Sequence, residues 1–310
     1  MSTPIRKVVI SICLWGLLVL YAGFNGGDVE PAGLTPGYCL VGTVVYVGLN
    51  CVSGLKVGDT IAALTVHNAQ SERINLPEQY AIRVQPGIDL QQATALVLVW
   101  YTAMGMVKHV AKVTTGQRVF VHGCSGAMGY GIMKLCQMQG AKVYGTAPER
   151  NHTLIRQQGG KPFVYTDKGW IHAVQEIGGV DAVFDALGFE SRDESWSILK
   201  STGILIGYGG SLYKLTNETA ASGRSITWAV TKLYLKYISL GGKRARLYVI
   251  SKDDSTFEPH LQALFALNIK GRILVPIEKI WQLDQIREAH ESWAKDPGVG
   301  SLLQVVQVTP

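Results

Sequence analysis

The sequence predicts an α/β fold, with a doubly wound parallel sheet joined to a β-rich domain. Three observations lead there. From Gln117 to Ala147 the chain reads QRVFVHGCSGAMGYGIMKLCQMQGAKVYGTA, a strand, a glycine turn, a helix and a second strand in about thirty residues. Strand-like and helix-like segments then alternate as far as Gly207, the pattern of parallel strands with crossover helices. The region from Tyr38 to Val84 is instead dense in β-branched and aromatic residues broken by glycines.

Composition narrows the class. A chain of 310 residues is long for one core and suggests two domains, or one interrupted by another. With 47% apolar and 17% charged residues and 35 glycines, it reads as a well-packed globular chain with many tight turns. The net charge of +6 is spread out, and only Lys243, Arg244 and Arg246 cluster. That is too little for a nucleic-acid surface, but it suits an anionic cofactor. The five cysteines show no CxxC spacing, so reduced cytosolic thiols are expected.

The elements follow in order. Val8 to Phe24 is an uncharged run preceded by Arg6 and Lys7. It is short for a membrane span and leads into Ala22-Gly23-Phe24-Asn25-Gly26-Gly27-Asp28, neither a cleavage site nor a charged stop. A buried strand or helix of the first domain is therefore preferred to a membrane tether, and a cytoplasmic location is expected. Tyr38–Leu49 and Thr60–Val66 are strands around the turn Gly54-Leu55-Lys56-Val57-Gly58-Asp59, with short strands at Arg73–Leu76 and Ala81–Val84. From Leu90 to Val113, Ala93, Leu96, Val97, Trp100, Met104 and Val107 recur at helical spacing. Beyond Ala147 the pattern predicts a helix to Gln158 closed by Gly159-Gly160 and a strand at Pro162–Tyr165. A helix at Trp170–Ile177, a strand at Val180–Asp185, a helix at Ser191–Leu199 and a strand at Gly203–Gly207 follow. The tail adds a helix, Asp284–Lys295, and an alternating strand, Leu302–Val308.

The turn carries the functional signal. Gly123, Gly126 and Gly129 let the chain turn sharply and approach a phosphate, and the helix behind them offers free N–H donors at its positive dipole end. Ser125, Ala127 and Met128 lie within the same turn, and Cys124 supplies a small side chain there. At the tip of the second strand an NAD enzyme places an Asp or Glu on the ribose. Here the tip is Thr146-Ala147, with Arg150 three residues on, so NADPH is favoured over NADH. The alternative makes Glu149 and Arg150 a solvated helix start.

On these residues the chain resembles the medium-chain dehydrogenase/reductase superfamily, nearest its quinone oxidoreductase and enoyl reductase branch, over roughly Leu18 to Val308. The marks are Ala22–Asp28 (AGxNxxD-like), Gly54–Asp59 (GxKxGD), Tyr101-Thr102-Ala103, Val121–Gly129 and Asp185-Ala186-Leu187-Gly188. The resemblance implies a GroES-like catalytic domain (residues 1–92 and 238–310) split around a Rossmann domain (93–237), with NADPH in the cleft between them. Family members carry a β-hairpin ahead of the AGxNxxD segment. Here the apolar stretch from Val8 stands in its place, so the barrel is expected to be short of elements. Gly37-Tyr38-Cys39 replaces the Gly-His-Glu of the zinc-dependent branch, and Gly300-Ser301 replaces a Gly-Lys of the last strand. No zinc site is expected, since catalytic zinc needs three protein ligands.

Without a metal, the reaction implied is hydride transfer from NADPH to an activated double bond in an enone, quinone or enoyl thioester. Asn25 is the candidate donor to the substrate carbonyl, or else a turn residue beside Gly26-Gly27. Tyr38 either protonates the enolate or is an aromatic packed at a strand start. Thr102 resembles the family's cofactor-contacting threonine, or is a helix-interior hydroxyl. Gly207, Tyr208 and Gly209 lie where the family's cofactor passes, or form a simple loop. His122 reads as a satisfied core histidine, and Asp185 as a loop-orienting residue or a cap. The stripe Trp228, Leu233, Tyr234 and Tyr237 is core or a subunit interface, the latter consistent with a homodimer.

Overall fold

A computed structural model describes residues 14–24, 35–65, 67–208, 231, 242–292 and 301–305. The apolar N-terminal run is a strand from Leu14 onward: β1 (Leu14–Phe24) pairs antiparallel with β2 (Cys39–Val47), β4 (Arg73–Pro77) and β13 (Ser301–Val305). Its backbone hydrogen bonds are thus made to neighbouring strands, unlike those of a spanning helix. With β3 (Thr60–Leu64), β5 (Ile82–Arg83) and β12 (Ile277–Gln282) these strands form a seven-stranded sheet, in the order β12-β13-β1-β2-β3-β5 with β4 on β1. The first and last strands of the described chain are therefore neighbours. The Gly54–Asp59 turn closes β2 onto β3: Asp59 Oδ2 accepts from Lys56 N at 2.7 Å, and Gly54 and Gly58 take φ of +72° and +92°.

The second sheet is parallel throughout. It contains β6 (Arg118–Val121), β7 (Lys142–Ala147), β8 (Lys161–Val164), β9 (Val180–Asp185), β10 (Leu199–Gly207) and β11 (Arg244–Leu247). The order β11-β10-β9-β6-β7-β8 is the doubly wound arrangement, in which the strand order reverses between β6 and β9. Val119, Phe120 and Val121 of β6 are all buried. A strand covered on both faces needs such a continuous apolar run. Since β11 belongs here, this sheet extends past residue 237.

Among the described residues the helices are α1 (Leu90–Val110), α2 (Ala127–Met138), α3 (His152–Gln157), α4 (Gly169–Glu176), α5 (Glu190–Ser197), α6 (Phe257–Ile269) and α7 (Ile286–Ser292). Asp89 caps α1, its carboxylate accepting from Gln91 N and Gln92 N. Two π-helical stretches, Leu96–Trp100 and Gly105–Val110, flank Tyr101–Met104 within α1. By length and composition alone α1 could cross a membrane, but 78% of its apolar window is buried inside the fold, as befits a core helix. Its first turns touch β1, β2 and β13, and its later turns touch α2 and α6, so α1 is the bridge between the sheets.

Neither β11, α6 nor β12 was expected from the sequence. Cys51 is disulfide-bonded, contrary to the expectation of reduced thiols throughout, while Cys39, Cys124 and Cys136 are free and buried.

Candidate functional site

The glycine turn leaves β6 beside the end of β9, at the point where the strand order reverses. Open α/β sheets bind ligands outside the carboxyl ends of their strands at such a switch point. The turn is tied down from below. Cys124 N donates to Thr146 O at 2.8 Å, Gly123 N donates to Thr146 Oγ1 at 3.1 Å, and Gly126 N closes back on Gly123 O at 3.0 Å. Gly126 is the N-cap of α2 and no side chain caps that helix. The first amides of α2, from Ala127, Met128 and Gly129, therefore lack partners within the helix.

The two later glycines do different jobs. A Cβ on Gly129 would lie 2.1 Å from Gly123 O and 2.8 Å from Cys124 Cα, so the turn can fold back over α2 only with glycine there. A Cβ on Gly126 would meet only Gly123 O, at 3.5 Å. The space in front of Gly126 is a cradle that a side chain would fill, which is how the residues present fit a dinucleotide.

Around the turn, Ser125 is 4% exposed and accepts a hydrogen bond from Asn151 Nδ2 at 3.2 Å. Cys124 is buried, and burial pushes its thiol up to about 12, so it is an inert small side chain rather than a nucleophile. Thr146 is 3% exposed and serves the turn from beneath, while Arg150 is exposed on the segment after the strand tip. Asn151 went unrecognised in the sequence, where no periodicity or motif marks it.

Behind the turn lies a buried polar network. Asp185, fully buried at the end of β9, accepts from Leu187 N (2.8 Å), Gly188 N (3.0 Å), Ser191 Oγ (3.0 Å) and Ser195 Oγ (2.8 Å). It thereby orients the Asp185–Gly188 loop. His122 Nε2 lies 2.9 Å from Ser195 Oγ. The serine's one proton goes to Asp185, so His122 must donate, and the imidazole is the Nε2–H tautomer. Burial lowers its pKa most, against the opposing pull of Asp185 and Glu194. His122 is a satisfied core histidine.

The remaining candidates divide. Thr102, 7% exposed at the centre of α1, donates to Leu98 O at 2.6 Å, so its hydroxyl proton is spent inside the helix and only its lone pairs face elsewhere. Tyr38 sits immediately before β2, its carbonyl accepts from Thr65 N at 2.6 Å, and its ring lies 6.4 Å from that of His67. Gly207 ends β10 within 3.3–3.5 Å of the Arg192 guanidinium, measured from the position of an added Cβ. Tyr208 N donates to Asp185 O at 3.1 Å, and burial raises its phenol. Asn25, Gly209 and the Trp228–Tyr237 stripe lie outside the described residues. Ser125 and Thr146 are thus gathered at the turn and Thr102 at the junction of the sheets, while Tyr38 belongs to the antiparallel sheet.

A family profile described as zinc-binding dehydrogenase matches residues 159–302. A probable quinone oxidoreductase of Schizosaccharomyces pombe is 26% identical over 297 residues, covering 91% of this chain and 86% of that one. The human synaptic vesicle membrane protein VAT-1 homolog is 24% identical over 283 residues, covering 89% and 72%. The fold matches the JamJ enoyl reductase, with a TM-score of 0.81 at 18% identity over 99% of this chain and 95% of that one. It also matches mycobacterial Rv1454c in complex with NADPH, with a TM-score of 0.78 at 21% identity, covering 99% and 95%. In sequence and fold the chain is similar to the quinone oxidoreductase and enoyl reductase branch of the medium-chain dehydrogenase/reductase superfamily. Members of this superfamily bind NAD(P)H. The profile's name also implies zinc, but among the described residues no three His, Cys, Asp or Glu side chains come together. Cys39 of the Gly37-Tyr38-Cys39 segment is buried in β2. The described residues therefore assemble no zinc-ligand set.

Proposed function

We propose that this protein is an NADPH-dependent oxidoreductase that reduces an activated carbon–carbon double bond in a small molecule such as an enone, quinone or enoyl thioester. The observation that carries the reading is the glycine turn at the switch point of the parallel sheet, with uncapped helix amides behind it and open space at Gly126. The names of the matched quinone oxidoreductase and enoyl reductase support it.

When bound, NADPH would supply a hydride to the β-carbon of the acceptor. The chain's own residues hold the partners. Amides of Ala127, Met128 and Gly129 would hold the pyrophosphate, and the small uncharged tip Thr146-Ala147 with Arg150 would admit a 2′-phosphate that a carboxylate would repel. Thr102 and the segment Gly207-Tyr208-Gly209 would hold the nicotinamide half. The Asn25 amide donates to the substrate carbonyl, and Tyr38 Oη returns a proton to the enolate. The protein acts on small molecules rather than nucleic acid. Among the described strands β11 ends the parallel sheet, and a second copy pairing there would give the homodimer.

NADPH oxidation measured against a panel of enones, quinones and enoyl thioesters tests the reading. Turnover of at least one member, with the product reduced at the double bond, is expected. Tight NADPH binding without turnover of any member would instead make the chain a cofactor-binding protein that has lost its chemistry.

A further inference from the structure

Ser125 and Asn151 lie 26 residues apart in sequence, yet they meet between the phosphate turn and the segment that follows the β7 tip. Both are buried, at 4% and 8% exposure. An asparagine Nδ2 can only donate, so in this pair Ser125 Oγ is the acceptor. The serine's own hydroxyl proton is then left over, and among the described residues it has no acceptor. A buried donor left unpaired costs about 1–3 kcal/mol, so this proton favours an acceptor that the described residues do not supply. The residue belongs to the turn whose uncapped amides already suit an anion.

The segment carrying Asn151 is itself fixed. Asn151 N donates to Pro148 O at 2.9 Å, and His152 Nε2 lies 3.1 Å from Ala147 O. Asn151 is therefore a rigid post against which the serine hydroxyl is set.

We propose that Asn151 is a positioning residue: it occupies the acceptor side of Ser125 Oγ and so aims the Ser125 proton at a phosphate oxygen of the bound dinucleotide. This rests on the NADPH reading above. The oxygen belongs either to the pyrophosphate, common to NADH and NADPH, or to the 2′-phosphate, present only in NADPH.

Dissociation constants for NADPH and NADH, measured by calorimetry on the intact chain, test the proposal in the parent, Ser125→Ala, Asn151→Ala, Asn151→Asp and the double alanine variant. Thermal melts confirm that each is folded. Ser125→Ala should weaken NADPH by about tenfold or more, as expected for a hydrogen bond to a charged group. Asn151→Ala should weaken it less, because the freed hydroxyl can still rotate into place. The double variant should match Ser125→Ala, since Asn151 acts only through the serine. Asn151→Asp reverses the polarity of the pair, takes the serine proton for itself, and should cost more than Asn151→Ala. Equal losses for NADH and NADPH assign the pyrophosphate, and losses confined to NADPH assign the 2′-phosphate. Additive losses in the double variant, or parent-like binding by Ser125→Ala, would overturn the positioning role. A parent that binds neither dinucleotide would overturn the cofactor reading first, and this one with it.

Discussion

Ser195 gives its single hydroxyl proton to Asp185 across 2.8 Å, and this fixes the direction of the hydrogen bond it shares with His122. The two residues make the floor beneath the candidate cofactor turn. Asp185 accepts four hydrogen bonds without being exposed to water.

Replacing Asp185 with alanine leaves those donors buried and unanswered. A loss on the order of 3 kcal/mol in unfolding free energy is expected from urea melts. Asp185→Asn should lose less, because one amide oxygen still accepts. Parent-like stability in Asp185→Ala would show the network to be dispensable.

Stability should also fall in mild acid. The folded-state pKa of His122 is depressed below its ordinary 6.5 by burial, and that of half-buried His260 is depressed by burial, His109 and Lys108. The unfolded chain therefore binds more protons than the folded one just below pH 6.5, so stability present above that value is lost as pH falls through it. Each group contributes a slope of at most about 1.4 kcal/mol per pH unit. Urea melts across this range should show the decline, and His122→Asn should flatten it in part, leaving the His260 share. An unchanged slope in His122→Asn would contradict this assignment.

Much of this site could be read from sequence because its signals are local. The turn, α2 and both flanking strands lie in one stretch where glycine spacing and apolar runs coincide, and β6–α2–β7 forms there. What was missed has a physical cause. In α6, Phe257, Leu261, Leu264 and Phe265 are buried at helical spacing, but Pro259 reads as a break although proline is tolerated in a first turn. β11 alternates charged and apolar residues over only four positions, and β12 mixes them out of alternation, so neither stands out. Hydropathy marked β1 as apolar but could not say that it would pair with three strands, because pairing is non-local. The Asn151–Ser125 contact was hidden for the same reason.

Gly129→Val should destabilise the fold by on the order of 3 kcal/mol, since its side chain would overlap Gly123 O and Cys124 Cα, which are backbone atoms that cannot swing away. Far-UV circular dichroism followed through a thermal melt measures the loss. A melt superimposable on that of the parent would mean the turn can open without cost.

Arg150 faces solvent beyond the strand tip. Arg150→Ala should weaken NADPH about tenfold, equivalent to ~1.4 kcal/mol, and leave NADH nearly unchanged. Titration of both cofactors decides it. Equal losses for the two would place Arg150 away from the 2′-phosphate, and tighter NADH binding by the parent would reverse the cofactor preference itself.

The most direct test of the central claim is NADPH binding by Gly126→Val, measured by calorimetry beside the parent. The added side chain starts in open space, with only Gly123 O near its Cβ at 3.5 Å, so the protein should fold as the parent does. The same side chain occupies the cradle where the pyrophosphate must come closest to the backbone. The parent should bind NADPH and the folded variant should not. Parent-like binding by Gly126→Val would mean that the turn is not a phosphate site, and the oxidoreductase reading would lose its main support.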